Sequence, residues 1–312
     1  MPLRSICQNH CGRVLVFVRL RAREEDTESR MNTMKILSPA KINLFLQITG
    51  KRPDGYHDLF TLMCRVSLCD TVSLTVGTDA TRISCTDPHV PEDESNLAHR
   101  AASLFFKNLG CHEHVQISID KQIPVGAGLG GGSSNAASVL MGLNAYYKQP
   151  FSHEELMGMG LSMGADIPFF IFQKPAIATG VGEKLEPYEK LAPFKILLVY
   201  PGFAVSTANV YKKFNFGLTK CKKNFKSSFF KERVFDAKND LCNDLETVTT
   251  SEYPDVTEVK ASLLHHGAQG ALMSGSGSSV FGLFPDSVSA EPARQNLSQN
   301  PSWKVYLVDM ML

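Results

Sequence analysis

Pro124-Val-Gly-Ala-Gly-Leu-Gly-Gly-Gly-Ser-Ser134 places five glycines in seven positions, and an amphipathic segment follows at once. Glycine adopts positive φ without steric cost and lets a ligand come close to the backbone. Behind the loop, Ala136, Val139, Leu140, Leu143 and Tyr147 form one apolar stripe at helical spacing. The start of such a helix offers unpaired N–H groups and the positive end of its dipole, so loop and helix together read as a phosphate cradle. Ser133 and Ser134 can cap that helix, bond phosphate oxygens, or enter a Mg2+ shell.

Two other phosphate loops are excluded. A Walker A loop needs GxxxxGK[ST], and no lysine follows the last glycine here. Gly126, Gly128 and Gly131 match GxGxxG, but a dinucleotide fold requires a continuously apolar strand before it and an acid about 20 residues on. Here Val115, Ile117 and Ile119 alternate with Gln116, Ser118 and Asp120, which predicts a half-buried antiparallel strand, and Tyr146-Tyr147-Lys148-Gln149 stands where the acid should be.

Moving outward, Lys35–Leu37 and Ile42–Thr49 predict two strands around a Ser38-Pro39 turn, and Arg52-Pro53-Asp54-Gly55 a further turn. Thr71–Val76 alternates as a strand. Asn96–Leu109 predicts a helix closed by Gly110, and Ser152 with Glu155 a capping box for a helix that Gly164 ends. Phe194–Tyr200 opens a second half, with a helix around Val256–His265 and strands at Ala271–Met273, Val280–Phe284 and Trp303–Val308. Pro187 and Pro193 bracket a polar stretch, which places a boundary near residue 190. Between 212 and 233 there are eight Lys or Arg against one acid, the pattern of a solvated loop or helix face.

The 312 residues carry a net charge of +1, with 43% hydrophobic and 20% charged, so no overall field draws the chain to nucleic acid or an acidic membrane. No apolar run reaches the ~18 residues that span a bilayer. The eight cysteines form no CxxC pair and no histidine cluster accompanies them, which argues against zinc and predicts free thiols in a reduced, cytoplasmic protein. Residues 1–33 read as an extension outside the fold. Val14–Val18 is too short for a signal peptide, Glu24, Glu25, Asp26 and Glu28 do not suit a transit peptide, and Met31 and Met34 are plausible starts.

With these segments in place, Pro124–Ala137 resembles the phosphate loop of the GHMP kinase superfamily. Ser38-Pro-Ala-Lys-Ile-Asn-Leu-Phe-Leu46 resembles its first motif and Leu272-Met-Ser-Gly-Ser-Gly-Ser-Ser-Val-Phe281 its third, in the same order. Ile48-Thr-Gly-Lys-Arg-Pro-Asp-Gly-Tyr-His57, Gly164-Ala-Asp-Ile-Pro-Phe169, Gly180-Val-Gly-Glu183 and Asn243-Asp-Leu-Glu246 are similar to one branch, the 4-diphosphocytidyl-2-C-methyl-D-erythritol kinases. The resemblance runs from about Met34 to the C-terminus.

It implies an α+β, two-lobed fold with a cleft between the lobes: an ATP-binding domain over 34–190 and a substrate domain over 191–312. It implies ATP and Mg2+ as cofactors, a cytidyl diphosphate sugar alcohol as substrate, no nucleic-acid or membrane partner, and a monomer or weak homodimer. Pro124, Val125, Gly126, Ala127, Gly128, Leu129, Gly130, Gly131, Gly132, Ser133 and Ser134 would hold ATP. Asp166 matches the family's catalytic base, and Lys41 its active-site lysine, which keeps that base ionised. Tyr56 and His57 match residues used around the cytosine, Tyr211 a second stacking ring, and Asn43 and Thr207 polar substrate contacts. Met63 departs from the pattern, where an aromatic is often found. The metal ligand stays open, with Ser134 or contact through water as alternatives. The loop around Ser274–Ser278 is expected to give backbone N–H groups to phosphate. A kinase of homoserine or mevalonate should lack the Gly-Tyr-His segment, and a catalytically dead regulator should lack Lys41 or Asp166.

Overall fold

The computed structural model of the chain describes residues 16–18, 32–218, 221 and 234–312. Its first strand, β1 (Val16–Val18), pairs antiparallel with β2 (Asn32–Lys51) through Val16 and Ile36, Phe17 and Lys35, and Val18 and Met34. Part of the supposed extension therefore belongs to a sheet, which corrects the expectation that everything before residue 34 lies outside the fold. The expected break at Ser38-Pro39 is also absent, since β2 runs unbroken for 20 residues. Proline's fixed φ is compatible with extended backbone, and a missing N–H matters only where a neighbouring strand needs it.

The chain folds into two compact units that interleave along the sequence, so a single cut near 190 does not separate them. One holds Met1–Pro39, Cys69–Ile123 and Gly131–Gln173; the other holds Ala40–Leu68, Pro124–Gly130 and Lys174–Leu312. β2 and the equally long β3 (His57–Val76) each pass from one to the other.

In the first unit, β5 (Val115–Asp120) lies antiparallel to β3, with Leu74 opposite Ile117, and parallel to β4 (Arg82–Cys85). Val115, Ile117 and Ile119 are buried, as their alternation predicts. Helix α1 (Leu97–Leu109) begins where Asn96 accepts from the Ala98 N–H and ends on Gly110 at φ +71°. Helix α2 (Gly131–Tyr146) buries Ala136, Val139, Leu140 and Leu143. Helix α3 (His153–Leu161) has the expected Ser152–Glu155 capping box but stops before Gly164, with Ser162 as its C-cap. The short α4 (Ile167–Phe172) then starts directly after Asp166.

The second unit is built on an ordered sheet. β12 (Lys304–Met311) pairs antiparallel with β3 and with β8 (Lys195–Tyr200), which pairs with β11 (Val280–Phe284), which in turn pairs with β10 (Gly270–Met273). β6 (Ala176–Gly180) joins β3 and β7 (Lys184–Pro187), and β9 (Cys242–Asn243) runs parallel to β2 at Phe45. Helices α5 (Thr207–Lys213), α6 (Glu246–Glu252), α7 (Pro254–His265) and α8 (Ser287–Leu297) complete it. Val259 and Leu263 of α7 and Ala290, Ala293 and Leu297 of α8 share a core with Leu197, Val199, Val280 and Phe284 of the sheet. Helices on a largely antiparallel sheet make this an α+β architecture. Among the described residues, no helix is long and apolar enough to cross a membrane.

The cysteines are not all free, which is a further correction. Cys221 and Cys242 form a disulfide with their Cα atoms 5.9 Å apart. They lie 21 residues apart with no local motif, so only the fold brings them together. Cys64, buried in β3, is a free thiol whose pKa burial pushes up to about 12. The basic run 212–233 lies mostly outside the described residues, which end at 218 and include Cys221.

Candidate active site

The glycine loop divides between the units after Gly130. In the second unit, Gly126, Gly128 and Gly130 all take positive φ, at +65°, +77° and +70°. Four successive carbonyls there point into protein donors. Gly126 O accepts from Val205 N (2.8 Å), Ala127 O from Ser279 N (3.2 Å), Gly128 O from Ser274 Oγ (3.0 Å) and Leu129 O from Lys41 N (2.9 Å). Carbonyl oxygens repel phosphate, so committing them to the protein rids the loop of its negative poles and suits it to an anion.

The third-motif loop presses against this one. A Cβ on Gly128 would sit 2.1 Å from Ser274 O. Within that loop, Ser274 N donates to Ser279 O and Gly277 N to Ser274 O, both at 2.9 Å. Those two amides are committed within the loop, which stiffens it against the glycine loop.

Asn243-Asp-Leu-Glu246 holds the brace. Asn243 Nδ2 donates to Met273 O (2.8 Å) and Gly275 O (2.7 Å), and its Oδ1 accepts from Leu245 N (3.0 Å). Glu246, paired with Lys260 at 2.6 Å, accepts from Met273 N. Asp244 accepts from Ile48 N at 2.8 Å, and burial raises its carboxyl pKa. Replacing Asn243 with Ala strands two buried carbonyls, so urea titration should show a loss of about 1–3 kcal/mol; a midpoint equal to wild type contradicts this bracing role.

Lys41, 5% exposed, extends from β2, and its Nζ donates to Asn43 Oδ1 at 2.7 Å. Asn43 Nδ2 donates to Thr61 Oγ1 (2.9 Å), whose hydroxyl donates to Phe45 O (2.5 Å). The chain of bonds fixes the amide of Asn43 with its oxygen toward the ammonium. Thr61 had no signal in the sequence beyond its place in a strand.

In the first unit, α2 starts at Gly131, so Ser133 and Ser134 lie inside its first turn and neither is the cap. Ser134 is buried and accepts from Ser38 Oγ at 2.9 Å, while Ser133 is half-buried. Asp166 immediately precedes α4, half-buried, and makes no side-chain cap hydrogen bond.

Of the residues expected to hold the cytosine, the structure brings His57 and Tyr211 together, ring centroids 5.4 Å apart and tilted by 33°. Phe214, which no motif marks, meets His57 edge-on at 6.1 Å. Tyr56 stands on the turn with 62% of its surface exposed. Thr207 opens α5 and bonds Ser276 Oγ at 2.8 Å. Burial, and then the positive charge of Lys51, hold His57 below the usual histidine range. A depressed pKa means that the folded state binds fewer protons than the unfolded chain as pH drops below about 6.5. Wild-type Tm should therefore fall more between pH 7 and pH 5 than that of His57→Gln; parallel curves would exclude His57 as the source. Among the described residues, no group of three or more His, Cys, Asp or Glu is placed to hold a metal ion.

Comparison with known proteins agrees with this arrangement. The GHMP kinases N terminal domain family matches residues 96–174 and the GHMP kinases C terminal family matches residues 228–302. A 4-diphosphocytidyl-2-C-methyl-D-erythritol kinase from Syntrophotalea carbinolica is 48% identical over 275 residues, 88% of this chain and 97% of that protein. One from a Geobacter species is 45% identical over 278 residues, again 88% and 97%. The crystal structure of a 4-(cytidine 5'-diphospho)-2C-methyl-D-erythritol kinase superposes with a TM-score of 0.72 at 34% identity, covering 89% of this chain and all of that one. A homoserine kinase from Cytophaga hutchinsonii shares the fold, with a TM-score of 0.69 at 17% identity over 91% of this chain and 96% of that one. Identity of this extent over nearly the whole of its relatives settles the matter: the chain belongs to the 4-diphosphocytidyl-2-C-methyl-D-erythritol kinase family of the GHMP kinases.

Proposed function

We propose that the protein transfers the γ-phosphoryl group of ATP to the 2-hydroxyl of 4-diphosphocytidyl-2-C-methyl-D-erythritol, giving the 2-phosphate and ADP, in the non-mevalonate route to isoprenoid precursors. The observation that carries this reading is the 48% identity to a kinase of that name across 88% of the chain. The inward-turned carbonyls of Gly126–Leu129 support the ATP half of it independently.

Phosphoryl transfer asks a protein mainly for alignment and charge neutralisation. Pro124–Ser134 would hold the triphosphate, helped by the N-terminus of α2. Asp166 would accept the proton of the attacking hydroxyl as its oxygen bonds to the γ-phosphorus and the bond to ADP breaks. Lys41, buried with its ammonium fixed by Asn43, supplies a preorganised positive charge for the developing alkoxide. Mg2+ is compatible with these residues although the described residues hold no carboxylate cluster, because with nucleotides it takes mostly phosphate and water ligands. Ser133 and Ser134 are the hydroxyls that would hold it. When bound, it neutralises charge on the β- and γ-phosphates.

For the cytidine, His57 and Tyr211 would form one aromatic wall and Tyr56 a second, with Asn43 and Thr207 as polar contacts. Tyr56 is the cleaner test because its exposure means the fold loses little without it. Stacking is worth about 1–3 kcal/mol per base, so Tyr56→Ala should raise KM for the cytidyl substrate roughly 5- to 150-fold with KM for ATP unchanged. Methylerythritol phosphate, which has no base, should barely distinguish the two proteins. Equal losses on both substrates would remove Tyr56 from the cytidine pocket. The function as a whole is tested by product formation from the cytidyl diol against homoserine and mevalonate; comparable kcat/KM on either alternative would overturn the assignment.

A further inference from the structure

A loop with five glycines is costly to order, since glycine loses more backbone freedom than any other residue. A phosphate site of high affinity needs that cost met before the ligand arrives. The ends of the loop show how this is done. Asp70, near the middle of β3, is fully buried. Its Oδ1 accepts from the backbone N–H groups of Gln122 and Ile123, each at 2.8 Å, at the point where the chain enters the loop. Its Oδ2 accepts from Lys121 Nζ at 2.8 Å and from Asn135 Nδ2 at 2.9 Å, where the chain leaves the loop in α2. One carboxylate thus clamps both ends of an eleven-residue segment.

The clamp also sets the direction of the next hydrogen bonds. A carboxylate only accepts, so Asn135 must turn its NH2 group toward Asp70. The second proton of that group goes to Ser38 Oγ at 3.0 Å. Ser38, having accepted, donates its own proton to Ser134 Oγ at 2.9 Å. Lys121 completes the set, because its ammonium also donates to Ile123 O at 2.6 Å. A Cβ on Gly131 would lie 2.9 Å from that ammonium and 3.1 Å from Ile123 Cγ2, so a side chain there would crowd the clamp.

We infer that Asp70 is a positioning residue for the phosphate loop, with Ser38 as its second tie, and that together they preorganise Pro124–Ser134 for a nucleotide triphosphate. Neither residue need touch the nucleotide. The inference rests on the reading that this loop holds the phosphates of ATP.

The test is calorimetric binding of ATP, of adenosine and of the cytidyl diol to the full chain at a temperature well below Tm. Asp70→Asn keeps size and removes the charge. Hydrogen bonds to charged groups are worth about 1.5–3 kcal/mol, so it should weaken ATP roughly 10- to 150-fold, with adenosine and the cytidyl diol within about twofold of wild type. Ser38→Ala leaves the buried ion pair intact and should weaken ATP by a smaller factor in the same selective way. Ser38→Ala decides the question should Asp70→Asn not fold. A merely structural role would lower Tm while the folded protein bound ATP normally, and that result in either folded variant overturns the inference. Wild type binding adenosine as tightly as ATP would instead overturn the reading of the loop itself.

Discussion

Asp166→Asn is expected to lower kcat by roughly 10²- to 10⁴-fold while the dissociation constant for ATP stays close to wild type. The substitution keeps the size of the side chain and removes only its capacity to take a proton. Asp166 precedes α4 and makes no side-chain cap hydrogen bond to it, so the substitution removes no cap from that helix. Pro168, within the first turn of α4, has the fixed φ that suits the start of a helix. Equal Tm values for the two proteins would show that the rate loss is chemical. Turnover within a factor of a few of wild type, in a variant that binds both substrates, would remove Asp166 from the mechanism.

Gly128→Ala should be nearly as damaging by a different route. The residue holds φ at +77°, where an L side chain costs about 1–2 kcal/mol. Its new Cβ would lie 2.1 Å from Ser274 O and 3.0 Å from both N and O of Gly277. These are backbone atoms of a braced loop, not the ends of flexible side chains, so they cannot turn aside. Overpacking of this kind adds about 1–3 kcal/mol, for a total of about 2–5 kcal/mol in urea titration, and displacement of the loop should abolish measurable ATP binding. A variant with wild-type stability and nucleotide affinity would mean that the two loops do not pack as described.

Local signals made some parts of this molecule legible and left others dark. Helix α1 could be read to within one residue because its apolar spacing is regular and Gly110 closes it, and the start of α3 is marked by Ser152 and Glu155. The glycine loop was legible for the same reason, as a composition that few other structures need. The break expected at Ser38-Pro39 is absent because β2 sets the conformation of Pro39 over 20 residues, and the dipeptide alone does not show that. The Cys221–Cys242 bond and the clamp at Asp70 were invisible because their partners are distant in sequence. Asp70 meets Lys121 51 residues later and Asn135 65 residues later, and a lone acid within an apolar strand carries no mark of either. The pairing of Tyr211 with His57 was likewise beyond reach, since a motif says which residues gather and not which rings touch.

The donors that turn the loop's carbonyls inward come from Lys41, Val205, Ser274 and Ser279, scattered across more than two hundred positions of the chain. The loop is consequently not portable. An engineer who grafts Pro124–Ser134 onto a foreign strand and helix transfers the glycines but none of the four donors. The transplanted carbonyls would be free to rotate outward and meet the phosphate they are here kept from, and the graft would behave as a floppy linker. Transplanting the function means carrying over the second unit's scaffold around residues 41, 205 and 274–279, with the eleven-residue motif as its smallest part.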